Sequence, residues 1–295
     1  MMEKTFVVPY CPHLSRGSQL RTARGGMRTM TYPEIVRMIP RRMYKYQQIN
    51  PNTLDGLRNH RLWFSSPERF NDPFDCKASC CLGRNKQDFE TRLESFFGPS
   101  DPMARMLKKS DAGWRQKNEA LMLCFHQFYS RTIHVCALST EWDNVLMWSH
   151  YANQHKGMCL VFDSYKAGLI RDNVVPVQYF AKYPAYLVDA RRIGNLEMLV
   201  KQLLAVKSAE WEYEHEWRAF MVNEKNDRKS SKGALHEYDP SLLVGIVFGI
   251  NTSPAARKKV EKALAQRSSR SHVKLYQARA VQGDFRISVR EIERT

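Results

Sequence analysis

Two apolar spacings alternate along the chain, and the switches between them mark its elements. Residues 43–49 and 62–65 read as short strands, separated by a brief helix over Leu54–Asn59 that is entered through Asn50-Pro51-Asn52-Thr53. Residues 67–75, with two prolines and the run Phe70-Asn71-Asp72-Pro73-Phe74-Asp75, predict a loop. The segment 84–130 shows helical periodicity broken at Gly98-Pro99 and at Gly113, which predicts a helical insertion. Strand patterns return over 133–139, 158–163 and 174–179, with a helix over Val145–Asn153 between the first two. Leu196, Leu199, Val200, Leu203 and Leu204 recur at helical spacing, and Lys207 and Trp211 extend that stripe, so a helix over 194–211 is expected. Alternation then takes over, placing Glu214, Glu216, Arg218, Phe220 and Val222 on one face of a strand over 214–222. A basic loop over 223–237 precedes a buried strand over 242–249. Ser253-Pro254 then opens a helix, and strands near 273–281 and 285–292 follow. The expected fold is α+β: one domain over 43–295, with a mixed or antiparallel central sheet and the insertion at 84–130.

Composition sharpens this picture. The chain has 295 residues, is 43% hydrophobic and carries a formal net charge of +16. Residues 1–42 and 253–279 hold most of the excess, which predicts a basic N-terminal extension and two surfaces suited to a phosphate-bearing partner such as nucleic acid. A well-solvated surface would look the same. The seven cysteines are an odd number, and most lie in apolar runs, which favours free thiols and a cytoplasmic protein. No apolar run is long enough to span a bilayer, so no membrane association is expected.

Candidate chemistry concentrates at 207–218, where four glutamates lie between Lys207 and Arg218 in an otherwise basic chain. Two carboxylates and a guanidinium on one strand face form either a buried ion network or a site for a polar ligand. Lys207 on an apolar stripe points toward the same acids, or simply snorkels. Trp148 and Tyr151 read as core or as a platform for a cofactor, and His150 as structural or site-lining. Asn71 and its neighbours form a turn that could also line a nucleotide pocket. Cys76, Cys80 and Cys81 lack zinc-site spacing, so no metal is expected. Walker and nucleophile-elbow motifs are absent, and Cys159 in its apolar strand reads as inert.

The runs Tyr44-Lys45-Tyr46, Trp63–Pro67, Phe70–Asp75, Leu146–Ala152, Lys156-Gly157, and Lys207 and Trp211 with Glu214–Arg218 resemble the bacterial family catalogued as domain of unknown function 2971. The likeness extends from about Tyr44 to Val289 and implies no activity. A looser likeness does imply chemistry. Glu214-x-Glu216 at the start of a late strand resembles the Glu-x-Glu motif of ADP-ribosyltransferases, and Tyr44-Lys45-Tyr46 and Phe64-Ser65-Ser66 precede it in that superfamily's order. This likeness implies an ADP-ribosyltransferase-like fold and an NAD-consuming effector of toxin or anti-phage type, acting on a nucleic-acid or protein acceptor and controlled by a protein partner or antitoxin. Glu216 would be the catalytic carboxylate and Glu214 its helper. NAD, the substrate, would be held among Tyr44, Lys45, Tyr46, Ser65, Ser66, Asn71, Trp148, His150, Tyr151, Lys207 and Arg218. A non-catalytic nucleotide or nucleic-acid binding module, or a nuclease, remain the alternative readings.

Overall fold

The computed structural model describes residues 32–76, 78–98, 100–166, 168–187, 200–201, 203–222, 232–266 and 272–294. Helix α1 (Tyr32–Met38) leads into strand β1 (Arg42–Gln47) and α2 (Pro51–Arg58). Ile35 and Ile39 already belong to the main core, so the packed body begins ahead of residue 43. Asn50 starts α2 with a reciprocal cap. Its side chain accepts from Thr53 N–H at 3.0 Å while the Thr53 hydroxyl accepts from Asn50 N–H, and Pro51 occupies the first turn.

Strand β2 (Arg61–Ser65) is followed by a 3-10 turn, Pro67–Arg69, and by the short β3 (Ser79–Cys81). The expected insertion is three helices, α3 (Lys86–Phe97), α4 (Pro102–Lys109) and α5 (Trp114–Thr132), interrupted where the glycines and proline predict. Leu82, Phe89, Leu93, Ala104, Leu107 and Leu121 give it a small core of its own. Next come β4 (Ile133–Ser139), α6 (Val145–Tyr151), β5 (Met158–Asp163), β6 (Val174–Pro176), β7 (Gln178–Phe180), β8 (Ala185–Leu187), β9 (Val206–Ser208) and β10 (Glu216–Val222). Strands β11 (Gly233–Glu237) and β12 (Leu243–Phe248), helix α7 (Pro254–Ala265), and strands β13 (Lys274–Ala280) and β14 (Ile287–Ile292) complete it.

The main sheet runs β11-β2-β4-β1-β5-β12-β13-β14, with β10 branching from β4 and β6 paired to β10. It is antiparallel except at β12–β13, so the α+β fold holds, and the sheet expected to be mixed or antiparallel is mostly antiparallel. Strand β5 is buried along its whole length because both faces are covered. Leu160 and Phe162 join Ile246, Phe248, Val260 and Leu264 in the main core, while Cys159 and Val161 face Trp148 and Met147 of α6.

The topology leaves an opening at β4. Strand β10 pairs with all seven of its residues, so β1 and β2 share the opposite edge through single pairs, Tyr44 with Ser139 and Ser65 with Val135. Beyond Tyr44 the strands part, and the Lys45 ammonium donates to the Ala137 carbonyl at 2.8 Å in place of a ladder bond.

Three expectations fail near this opening. Residues 174–179 form two strands, because Val177 N–H turns to Glu216 O (2.9 Å) and β7 moves into a separate pairing with β9. The helix expected over 194–211 has ended by Ala205. Val206–Ser208 pairs with β7, so non-local pairing overrides the helical spacing, and the Ser208 hydroxyl starts a 3-10 helix over Ala209–Glu214. Leu196 and Leu199 lie outside the described residues. Part of the expected loop over 223–237 is strand β11 on β2. Gly233, at φ 132°, starts it where a Cβ would lie 2.4 Å from Phe64 O.

Candidate active site

Five charged side chains meet in the protein's interior: Asp75, Lys207, Glu214, Glu216 and Arg218 are each at most 5% exposed. Arg218, on β10, donates through Nη2 to both Asp75 oxygens (2.8 and 2.9 Å) and through Nε to Glu216 Oε1 at 2.8 Å. Its Nη1 donates to the Leu204 carbonyl, closing the chain end left where the preceding helical residues stop. Lys207 donates to Glu214 Oε2 and to Glu216 Oε2 (3.0 Å), and lies 3.6 Å from Asp75. Glu214 also accepts from the Tyr151 hydroxyl at 2.6 Å.

Local structure explains why these groups converge. Glu214 does not belong to the strand, contrary to the alternation. It ends the 3-10 helix, and His215 then takes a left-handed conformation (φ 44°, ψ 50°) before β10 begins at Glu216. The Ser139 hydroxyl donates to Glu214 O at 2.8 Å, which anchors this turn to β4. Asn144 caps α6 through its oxygen and, through its amide, donates to Tyr213 O at 2.7 Å. That bond fixes α6, and with it Tyr151, against Glu214.

The network floors a cavity of about 420 Å³ that opens where β1 leaves β4. Its lining includes Tyr44, Tyr46, Phe70 and Tyr151, together with Lys45, whose ammonium is held by the Ala137 carbonyl, and the exposed Arg69. The two glutamates are driven apart in acidity. Burial raises the Glu216 carboxyl, but Arg218 and Lys207 outweigh it and hold it at about 2. Burial, opposed by Lys207 and reinforced by the Glu216 charge, leaves Glu214 above the usual carboxylate range. Burial first, and then Glu214, raise the Tyr151 phenol, which stays protonated as a donor.

The sequence-predicted residues divide into two groups. Tyr44, Lys45, Tyr46, Asn71, His150, Tyr151, Lys207, Glu214 and Glu216 line the cavity. Trp148, expected as a cofactor contact, is fully buried in the core behind α6, where its indole donates to Trp142 O at 2.7 Å. Ser65 and Ser66 also fall outside the cavity. The Ser65 hydroxyl turns to the Ser66 carbonyl, and Ser66 is buried as the cap of the Pro67–Arg69 turn. Arg218 lies beneath the floor and is fully buried. Lys207 reaches the site from a short strand, where a helix end had been expected.

Sequence reasoning missed Asp75 and Tyr179. Asp75 closes the Phe70–Asp75 run, whose turn chemistry masked its role as Arg218's bidentate partner. Tyr179, whose hydroxyl accepts from Glu216 N–H at 2.8 Å, carries no local signal. Among the described residues, no group of three His, Cys, Asp or Glu side chains is placed to hold a metal ion. No helix among them is long and apolar enough to cross a membrane.

The model of a family described as "Protein of unknown function (DUF2971)" matches residues 147–219. That span, from α6 to β10, contains Tyr151, Lys207, Glu214, Glu216 and Arg218, so the likeness to this family is supported across most of the network. Its description carries no activity. No curated protein and no solved structure matches the chain.

Proposed function

We propose that the cavity binds NAD and breaks its nicotinamide–ribose bond, in the manner of an ADP-ribosyltransferase. One observation carries the reading. Among the described residues, three carboxylates meet two cations at the buried floor, leaving uncompensated negative charge where the wall is aromatic. A cationic nicotinamide ring and the positive charge that develops on the ribose as it leaves both favour such a floor. Nicotinamide departs with the bonding electron pair, and an acceptor nucleophile forms the new bond at the ribose carbon. Glu216, ionised at all ordinary pH values, supplies fixed negative charge. Glu214, with its raised pKa, takes the acceptor's proton. The exposed Arg69 in the lining suits the dinucleotide's phosphates.

The reading extends to a cytoplasmic effector of toxin or anti-phage type, held in check by a protein partner. Its acceptor would be drawn by basic surface such as Lys258, Lys259 and Lys262, all exposed on α7. The test is nicotinamide release and label transfer from NAD by the purified chain, with Glu216→Gln and Glu214→Gln as controls. Loss of release in both variants with retained fold supports it. Wild-type protein that neither binds nor cleaves NAD overturns it. Both oxygens of Glu216 are engaged by Arg218 and Lys207, and this favours a second reading, a nucleotide-binding module without turnover. In that case NAD binds and no nicotinamide appears.

A further inference from the structure

Every carboxylate oxygen on the floor of the cavity already accepts from a partner. Arg218 holds both Asp75 oxygens through Nη2 and Glu216 Oε1 through Nε, and Lys207 holds Glu216 Oε2 at 3.0 Å. Lys207 also binds Glu214 Oε2, and the Tyr151 hydroxyl donates to Glu214 Oε1 at 2.6 Å. The floor thus carries negative charge without presenting an open carboxylate edge among the described residues. A guanidinium acceptor pairs with both oxygens of one carboxylate, so here it would have to displace a lysine or an arginine that is already buried and bonded. An acceptor with a single O–H to give meets no such obstacle.

Tyr151 is placed to receive it. Tyr151 and Glu214 both line the cavity, but Tyr151 is half-buried whereas Glu214 is 3% exposed. The phenol gives its own proton to Glu214, and the Asn71 side chain, on the Phe70–Asp75 loop, hydrogen-bonds it as a donor. A phenolic oxygen held this way still has acceptor capacity for one further O–H. We propose that the acceptor is an alcohol hydroxyl, and that Tyr151 takes its proton while passing its own to Glu214. This relay rests on the NAD reading, and adds to it the acceptor's chemistry and the group that touches it. The C–N bond breaks as nicotinamide leaves neutral with the electron pair, and the hydroxyl oxygen supplies the pair for the new bond at the ribose carbon. The hydroxyl proton moves to the Tyr151 oxygen as the phenol's proton moves to Glu214 Oε1, so no free phenolate forms. Burial, and then Glu214, would oppose such a phenolate. Glu214, buried and above the usual carboxylate range, is suited to hold the proton until the product leaves.

The test gives the whole chain NAD and two small acceptors, glycerol for the hydroxyl and agmatine for the guanidinium. Wild-type protein is expected to release nicotinamide and form the glycerol adduct in preference to the agmatine adduct. Tyr151→Phe keeps the ring and should slow adduct formation about a hundredfold or more. The wild-type rate should rise with pH through the raised Glu214 value, as that carboxyl ionises, and Tyr151→Phe should lose this limb. A Glu214 that acted directly would keep the limb, moved to higher pH by the loss of its Tyr151 donor. In mixtures of light and heavy water the wild-type rate should depend quadratically on the deuterium fraction, because two protons move together. A linear or absent dependence overturns the relay without recourse to any variant. So does a Tyr151→Phe protein as fast as wild type, or one whose limb has only moved upward. Preferential labelling of agmatine overturns the hydroxyl acceptor. Wild-type protein that never cleaves NAD removes the relay together with the NAD reading, whereas each of the other contrary results leaves cleavage standing.

Discussion

Lys207→Met tests the ion network most directly. Among the described residues Lys207 is the one cation bonded to Glu214, whereas Glu216 keeps Arg218. Removing it leaves Glu214, buried and 3% exposed, with only the Tyr151 hydroxyl for a partner. Breaking a buried pair from one side costs about 3–5 kcal/mol, and that loss is expected from urea unfolding at about pH 8. The sign of its pH dependence follows from Glu214. Its pKa is already raised, and the variant raises it further, so between the unfolded value and the new folded value the native state binds the extra proton. Stability of the variant therefore falls as pH rises above the ordinary carboxylate range and through the raised folded value. Glu216 behaves oppositely: depressed to about 2, it contributes stability present above its unfolded value, which is lost as pH falls toward its folded one. Adding Glu214→Gln to Lys207→Met removes the orphaned charge and should recover about 2 kcal/mol, a coupling that a double-mutant cycle isolates. A Lys207→Met loss below about 1 kcal/mol, or strict additivity in the double variant, would refute the reasoning.

Three further outcomes follow from the geometry. Gly249→Ala should destabilise by about 1–3 kcal/mol in thermal or urea unfolding, because the new Cβ would lie 2.1 Å from the His155 carbonyl. Trp148→Phe should lose about 2–4 kcal/mol, since it opens a void between α6 and β5 and strips Trp142 O of its 2.7 Å donor; a near-neutral result would show that the indole is not packed as described. Alkylation of the native protein should label the exposed Cys124 and spare Cys76, Cys136 and Cys159 until denaturant is added, because burial raises each of those three thiols.

Elements whose signals are local were legible in the chain. Strands β4 and β5, the broken helical insertion and the Ser253–Pro254 helix start all follow from spacing and capping, and the structure has them where the residues say. The sequence was least informative where pairing partners lie far away. The spacing that carried Leu204 to Lys207 and Trp211 is genuine, yet β7, almost thirty positions earlier, claims Val206–Ser208 as a strand. Asp75 was invisible for the same reason, being 143 positions from the guanidinium it binds.

The two carboxylates at 214 and 216 show how a wrong local reading can still pick out residues that meet. Alternation puts residues two apart on one strand face, and that argument drew attention to the pair. In the protein the left-handed His215 separates them, with Glu214 in the 3-10 turn and Glu216 in β10. They meet because Lys207, from a third segment, binds both, while the Ser139 and Asn144 side chains hold the turn in position. A continuous strand would give both glutamates the same strand-face setting. The turn instead leaves Glu214 reaching Tyr151 on the cavity side and Glu216 reaching Arg218 below, and this difference in partners drives their acidities in opposite directions. The break in secondary structure is thus what distinguishes a carboxyl able to exchange a proton from one that stays charged.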